Sequence, residues 1–330
     1  MDLLFSPDRH TSRNRLTPLA SPTGSAHNIT IRDLHLHGST NHTHYPCFSS
    51  DGKQKLCDHN TLIMFYTLPP GTVRDVTVQR IVAEAIAGDV MSFALGVQNL
   101  LAEDIQIRDF LRQGVDLAGD NLTYNHTVRR VTELDPWLIV PSPGGSTLHI
   151  EESGDLTHEG LHDVEIYDCV ANHSILASGV RNLTIRENLI YGQLIGDKDT
   201  GLTIEGNTIV ATTNGTMMQM LAPQGMVIKG NTLVHADNQL KVGGVYVWGH
   251  DEDYPSATNI LITGNDFVGS FAEQGKAIQL YGVDGVVVSG NHFNQTTNGA
   301  SATNNTCKCC RIPPGPKAAM MCANVTVEEF

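Results

Sequence analysis

Apolar residues recur in a short alternating pattern along most of the chain. An apolar-x-apolar pair follows Asn, Asp or Gly, and Gly-Asn often comes directly after it, as in Gly225-Met-Val-Ile228-Lys-Gly-Asn231. Alternation with a period of two places both apolar side chains on one face of an extended strand, whereas Gly and Asn favour the left-handed backbone of a turn. Each copy therefore predicts one strand and one bend.

The copies follow one another too closely for helical repeats. The centres of the five clearest copies, together with the weaker copy at Ile166 before them, are 19 to 34 residues apart and lie at Ile166, Ile185, Ile204, Ile228, Ile262 and Val288. Helical repeats are about 33 to 47 residues long and show a period of 3.6 instead of two, so the pattern predicts a solenoid of strands. An Asn follows three residues after most of these centres, and we expect these side chains to stack as an amide ladder: Asn188, Asn207, Asn231, Asn265 and Asn291.

A second apolar alternation follows many copies and predicts a second parallel sheet. It covers residues 62–66, 115–117, 148–151, 175–177, 218–220, 245–248 and 278–281. Together the two patterns resemble the right-handed parallel β-helix proteins of the pectate-lyase-like superfamily, over almost the whole chain. The resemblance implies an all-β, single-stranded right-handed parallel β-helix, a solenoid of about ten rungs.

The repeat runs nearly from end to end, so one β-helix domain is predicted for residues 1–330. Within it we expect an irregular amino-terminal segment at residues 1–27, which a truncated cap would explain. A Cys-rich loop at residues 301–323 and a last strand at residues 324–330 complete the predicted organisation.

Charge and cysteine content narrow the function classes. The formal net charge of -14, without a run of Lys or Arg, argues against nucleic acid and anionic membranes as partners. No apolar run is long enough to cross a bilayer, and the first residues do not form a secretory signal.

The cysteines suggest an oxidising compartment. The Cys pair at 47 and 57 and the Cys cluster of the tail favour disulfides, with reduced thiols or a tail metal site as the alternatives, while Cys169 is expected to be buried. Together with several Asn-x-Ser/Thr sequons, these features predict a secreted or cell-surface glycoprotein.

The resemblance also implies where a functional site would lie. Sugar-active members of the superfamily generally use the outer face of the second sheet, where side chains of successive rungs line a groove. Alternation predicts the outward residues of that sheet: Asp116, His149, Glu151, Gln219, Tyr246, Trp248, Gln279 and Tyr281.

Four of the candidate residues suggest acid and base chemistry. Asp116 and His149 are predicted to be neighbours about 4.8 Å apart, with Glu151 two positions further along its strand. A carboxylate orients an imidazole and raises its pKa, so the pair is a competent general acid and base. Arg112, with Arg129 or Arg130 as alternatives, would neutralise a uronate carboxylate. The opposing interpretation is a surface hydrogen bond without a catalytic role.

Other residues are predicted to bind a sugar chain. The rings of Tyr246, Trp248 and Tyr281 offer flat apolar faces with polar tips, and Gln113, Gln219 and Gln279 offer amides. Trp137 lies in a long insertion beside the Asp116 and His149 rungs, so it could form a groove wall. Alternatively, the three rings cover the sheet or pack under the loop that follows Trp248.

No metal site is predicted. The cluster of His35, His37, His42 and His44 lacks an acidic or Cys ligand at matching spacing, which favours polar surface histidines. A Ca²⁺ ion is the one cofactor considered, at the acidic loop of residues 251–253, although three consecutive side chains seldom converge on one ion.

The sequence therefore favours an extracellular polysaccharide-active protein, lyase-like or hydrolase-like, whose partner is a glycan. The alternative is a non-catalytic glycan-binding, adhesion or structural module. The chain lacks the Asp-Asp, Gly-His-Gly and Arg-Ile-Lys segments of polygalacturonase-type hydrolases and the Asp-Pro-His segment of alginate C5-epimerases. The substrate, its linkage and the oligomeric state are not predicted.

Overall fold

The computed structural model describes residues 24–38, 61–67, 70–86, 88–110, 112–134, 145–152, 160–235, 240, 242–249, 256–269, 271, 277–294, 308–309 and 323–327. Their regular secondary structure consists of strands. Among them there is no helix of the length and apolarity that a membrane span requires. The chain divides into two compact units, Met1–Val164 and Glu165–Phe330.

The first unit contains long bent strands that alternate with short ones. Its strands are β1 (Ala26–His37), β2 (Ile63–Phe65), β3 (Val73–Ile86), β4 (Met91–Ala94), β5 (Val97–Phe110), β6 (Gln113–Gly119), β7 (Tyr124–Glu133) and β8 (Ser146–Glu152), and β9 (His162–Tyr167) contains the boundary. The long strands β1, β3, β5 and β7 pair in parallel in that order. The short strands β2, β4, β6 and β8 form a second parallel stack.

The second unit repeats a coil of three shorter strands. Its strands are β10 (Val170–Ala171), β11 (Ser174–Ser178), β12 (Arg181–Arg186), β13 (Leu189–Ile190), β14 (Leu194–Asp197), β15 (Thr203–Glu205), β16 (Thr208–Val210), β17 (Gly215–Leu221), β18 (Gln224–Lys229), β19 (Thr232–His235), β20 (Val242–Trp248), β21 (Ala257–Thr263), β22 (Asp266–Gly269), β23 (Ile278–Tyr281), β24 (Val283–Ser289), β25 (His292–Asn294), β26 (Lys308–Cys309) and β27 (Ala323–Val327).

Within each unit the strands pair in parallel with the equivalent strands of the next coil. In the second unit one stack runs from β12 through β15, β18, β21 and β24 to β27, and another from β11 through β14, β17, β20 and β23 to β26. This arrangement is a parallel β-helix, which confirms the predicted fold class. One continuous domain over residues 1–330 stays a prediction.

The predicted separation of inner and outer residues is confirmed in the second sheet. The apolar members of its alternation are all buried: Val115, Leu117, Leu148, Ile150, Met218, Met220, Val245, Val247, Ile278 and Leu280. Each side chain of this kind contributes about 1.5–3 kcal/mol when it is removed from water. Cys169 is likewise buried, as predicted.

The bends confirm the predicted turn chemistry with one correction. At four of them the left-handed residue is a Gly with φ between 57° and 64°: Gly206, Gly230, Gly264 and Gly290. The Asn that follows each Gly is not left-handed. It is instead buried, and its side chain takes part in the predicted ladder.

The Asn ladder is continuous from Asn188 to Asn291. The Nδ2 of each Asn donates to the Oδ1 of the next at 2.9 Å, and that Oδ1 also accepts from the backbone N–H of the preceding Asn. Each Nδ2 also donates to a carbonyl oxygen of the preceding coil. The ladder therefore satisfies buried polar groups at the corner of each coil.

At the chain ends the structure covers only part of what was predicted. β1 begins at Ala26, just inside the segment predicted to be irregular, and β27 covers Ala323–Val327, while residues 328–330 of the predicted last strand lie outside the described residues. The cysteines at 47, 57, 307, 310 and 322 lie outside the described residues, so the disulfides stay a prediction.

Candidate active site

Three neighbouring strands of the first unit bring polar side chains into one row. The register pairs Ser92 on β4 with Asp116 on β6, and Asp116 with His149 on β8. Each of the three lies between two buried apolar residues of its own strand, so all three side chains point away from the core. The predicted adjacency of Asp116 and His149 is confirmed. Gly114 allows this close pairing, because a Cβ there would lie 2.4 Å from the carbonyl oxygen of Thr147.

Asp116 is buried and accepts hydrogen bonds on both oxygens. The Oγ of Ser92 donates to Oδ2 at 2.9 Å, and the Nδ1 of His149 lies 3.2 Å from Oδ1. A carboxylate with both oxygens engaged is held in place and holds its imidazole partner in turn. Asp116 is thus suited to orient His149 rather than to react itself.

The amide of Gln113 links His149 to a second buried carboxylate. Only one orientation of this amide satisfies its neighbours: Nε2 donates to Asp116 Oδ1 at 3.1 Å and to Asp89 Oδ1 at 3.2 Å, while Oε1 accepts from His149 Nδ1. Gln113 is 3% exposed. Although it is predicted to contact substrate, it therefore acts beneath the surface.

Asp89 is the most deeply buried acid of the cluster. Its Oδ2 accepts from Arg112 Nη1 at 2.8 Å. Burial, together with the nearby charge of Asp116, raises the pKa of Asp89 to about 7, against the opposing effects of Arg112 and His149. Arg112 is therefore paired with Asp89. The negative charge of Asp89 offsets the positive charge of Arg112, which was predicted to neutralise a uronate carboxylate.

The second ring nitrogen of His149 faces a more exposed carboxylate. His149 Nε2 lies 3.7 Å from Glu151 Oε2, and the Glu151 side chain is 36% exposed. One ligand-type atom from each of Asp116, His149 and Glu151 lies within 4.8 Å of the others. Asp116 and His149 Nδ1 are bonded to each other, so only His149 Nε2 and the Glu151 carboxylate remain as possible metal ligands in this cluster. Two ligands are too few for a tight metal site. Proton transfer at Nε2 is the chemistry that the arrangement favours.

The alternative arginines lie elsewhere. Arg129 and Arg130 belong to β7 in the stack of long strands, where they bind Glu103 and Asp104 at 2.6 to 2.7 Å. The hydrogen bond from Arg130 lowers the pKa of Asp104. These arginines therefore stabilise a charge ladder between coils and do not lie beside Asp116.

The predicted sugar-binding residues form two rows in the second unit. Gln219, Tyr246 and Gln279 are in register on β17, β20 and β23, and so are Leu221, Trp248 and Tyr281. The rings of Trp248 and Tyr281 are stacked, with centroids 6.5 Å apart. All of these side chains are partly exposed. The acid and imidazole cluster belongs to the first unit, and a groove shared with these rings stays a prediction.

The histidines of β1 have the acidic neighbour that the sequence did not indicate. Glu84 Oε1 lies 3.0 Å from His35 Nε2 and 3.2 Å from His37 Nδ1. Arg108 also binds Glu84, and this bond is the main reason why the pKa of Glu84 falls to about 2. The adjacent guanidinium opposes a metal cation at this place.

Several predicted features lie outside the described residues. These are Trp137, His42, His44 and the acidic loop of residues 251–253. Conversely, Ser92 and Asp89 belong to the site but were not predicted. The segment Met91-Ser92-Phe93 has the apolar-x-apolar pattern that could have revealed Ser92.

Comparisons with known proteins give matches in structure only. No protein-family description matches the chain, and no curated protein does. The A-module of the Azotobacter vinelandii mannuronan C-5 epimerase AlgE6 matches with a TM-score of 0.47 and 16% identity, over 93% of this chain and 80% of that one. The tailspike gp61 of Pseudomonas phage phi297 matches with a TM-score of 0.31 and 13% identity, over 69% of this chain and 42% of that one. The strand pairing of the chain itself identifies it as a parallel β-helix repeat protein.

Proposed function

We propose that the chain is a polysaccharide-active enzyme of the lyase type, in which His149 transfers a proton within a groove on the outer face of β4, β6 and β8. The observation that carries the proposal is the contact between Asp116 and His149, which directs Nε2 toward Glu151 and away from the core. A secreted or cell-surface location belongs to the same proposal.

His149, Asp116 and Glu151 have different roles in the proposed β-elimination. His149 Nε2 takes the proton from the carbon next to a uronate carboxylate, the bond to the leaving oxygen breaks, and a double bond forms between the two carbons. The imidazolium then returns the proton to the leaving oxygen. Asp116 and Glu151 both stabilise the imidazolium, because each places a carboxylate beside one ring nitrogen.

A lyase fits this cluster better than a two-carboxylate hydrolase. Glycosidases hold their two carboxyl groups roughly 5 to 9.5 Å apart, on opposite sides of the bond that is cleaved. Here one of the two carboxylates, Asp116, is buried and has both oxygens bonded, to Ser92 and to His149. Asp116 is therefore not available as a nucleophile or an acid.

A screen of acidic and neutral glycans tests the proposal, with ultraviolet absorbance reporting unsaturated products. We expect product with at least one uronate glycan, and a loss of at least about 1000-fold in kcat for His149→Ala. His162→Gln is a matched control, because it removes another His–Asp contact, 2.7 Å long, from a different stack. Absence of product from every glycan, or equal activity of His149→Ala, would contradict the proposal.

The rows of rings in the second unit favour a second candidate function, a glycan-binding module without catalysis. Stacked rings at rung spacing can each contact one sugar of an extended chain. Affinity electrophoresis in glycan-containing gels separates the candidates. Binding without turnover that is lost in Trp248→Ala, but kept in Tyr167→Ala, would favour the module, since the ring of Tyr167 on β9 is covered by Arg186.

A further inference from the structure

Beneath the pair of Asp116 and His149, a relay of hydrogen bonds runs from Asp89 through the amide of Gln113 to His149. Its donors and acceptors can be arranged in one direction only. Asp89 and Asp116 are both carboxylates that accept from the amide nitrogen of Gln113, at 3.2 and 3.1 Å. With the nitrogen committed to two acceptors, the carbonyl of Gln113 must face His149 Nδ1. A carbonyl oxygen only accepts, so Nδ1 must carry the hydrogen.

This hydrogen decides which nitrogen of the ring can act as a base. A neutral imidazole has one N–H, and when Nδ1 carries it, Nε2 keeps its lone pair. Nε2 is the nitrogen that lies 3.7 Å from the partly exposed Glu151. Turning the Gln113 amide over would place its NH₂ against Nδ1 and favour the opposite tautomer, whose Nε2 cannot accept a proton.

We propose that Asp89 is a positioning residue that fixes the Gln113 amide and, through it, holds the tautomer of His149 with hydrogen on Nδ1. The inference deepens the proposed function, on which its catalytic consequence rests. Asp116 sets the same tautomer directly, at 3.2 Å, so Asp89 is the second of two supports.

The surroundings of Asp89 suit this role. Its carboxylate also accepts from Arg112 Nη1 and from the backbone N–H of Gln113. These two donors fix the orientation of the carboxylate that the Gln113 amide meets. The charged groups that contact His149 and its partners include Asp116, Glu151, Asp89 and Arg112. Since the pKa of Asp89 is raised to about 7, the relay is complete above that pH and weakens below it.

The test is nitrogen NMR of the protein labelled with ¹⁵N-histidine, at pH 8, where the shifts of Nδ1 and Nε2 distinguish the two tautomers. His149→Gln assigns the signals. We expect wild type to show hydrogen on Nδ1, and Asp89→Asn to shift the population toward hydrogen on Nε2. Turnover of Asp89→Asn should fall roughly tenfold, the size expected for one lost hydrogen bond to a charged group.

Asp199→Asn is the matched control, because it replaces another buried acid, in the second unit, that accepts from Val180 N–H and not from Gln113. It should leave both His149 signals unchanged. Gln113→Met provides a second variant should Asp89→Asn fail to fold, since it removes the amide but keeps the pair of Asp89 and Arg112. Hydrogen retained on Nδ1 to the wild-type extent in a folded Asp89→Asn or Gln113→Met protein would overturn the inference. A tautomer shift without glycan turnover in wild type would uphold it and reject the proposed enzyme instead.

Discussion

At the scale of single residues, the direction of the site side chains follows from the burial of their neighbours. Ser92, Asp116 and His149 each stand between two buried residues: Met91 and Phe93, Val115 and Leu117, and Leu148 and Ile150. A slip of one residue would expose both neighbours and bury the polar group, at a cost of several kcal/mol for each strand. The same burial that forms the core therefore aligns Ser92, Asp116 and His149 in one row.

His126 provides a residue-scale prediction about pH. It is buried inside β7, and burial lowers its pKa to about 3, below the ordinary value of 6.5. The folded protein therefore keeps this ring neutral, whereas the unfolded chain takes up a proton below pH 6.5. Stability must fall as the pH drops from about 6.5 toward 3, by about 2 kcal/mol at pH 5 from this group.

His126→Leu removes that proton uptake and keeps an apolar side chain in the space. We expect its urea midpoint to rise relative to wild type as the pH is lowered from 7 to 5. Equilibrium unfolding at a series of pH values measures the difference. A difference that does not change with pH would mean that His126 is not buried in its neutral form.

At the scale of elements, the Asn ladder explains how short strands hold their register. Strands such as β13 and β15 have two and three residues, too few to specify register by side-chain packing alone. The inner Asn side chains of the ladder bond to both neighbouring coils at a fixed position. The ladder therefore supplies at the corners the alignment that the strands cannot supply by themselves.

Asn231→Ala tests the ladder. Asn231 donates to Ile204 O and to Asn265 Oδ1, and it accepts from both the backbone N–H and Nδ2 of Asn207. Truncation leaves several buried groups without partners, so we expect a loss of about 3–5 kcal/mol in the free energy of unfolding, measured in urea.

Asn259→Gly is the control for this prediction. Asn259 is exposed with φ 55°, and Gly occupies the equivalent start of the strand at Gly225 and Gly285. Gly adopts a positive φ without strain, so this change should alter stability by less than about 0.5 kcal/mol. Equal effects of the two substitutions would contradict a special role of the ladder.

At the scale of the whole molecule, the net charge of -14 opposes the approach of a polyanionic glycan. Salt screens that repulsion, with a Debye length of about 10 Å at 0.1 M. We expect the affinity for a polyuronate to rise as NaCl increases from low concentration to about 0.3 M, and the affinity for a neutral glycan to stay nearly constant. Titration calorimetry with His149→Ala, which should bind without turnover, measures both. An affinity for polyuronate that falls with salt would instead indicate a local basic surface.

Much of the fold could be predicted because its determinants are local. A period of two along a few residues defines the inner and outer faces, and Gly or Asn at a constant offset defines the bends, so the strands, the ladder and the pairing of Asp116 with His149 were all predictable. The hydrogen bond from His149 to Gln113 could not be predicted. Gln113 lies two residues before the buried Val115, so alternation places both on the inner face of the strand.

Other contacts between coils were decided only by the tertiary structure. Ser92 lies 24 residues before Asp116, and Glu84 lies 49 residues after His35, so whether these residues meet depends on the lengths of the loops between them. Local alternation carries no information about those lengths. For this reason the sequence by itself determined the coil and its outward row, whereas only the folded chain placed Asp89 beneath Gln113, paired Arg112 with Asp89 and brought Glu84 to His35 and His37.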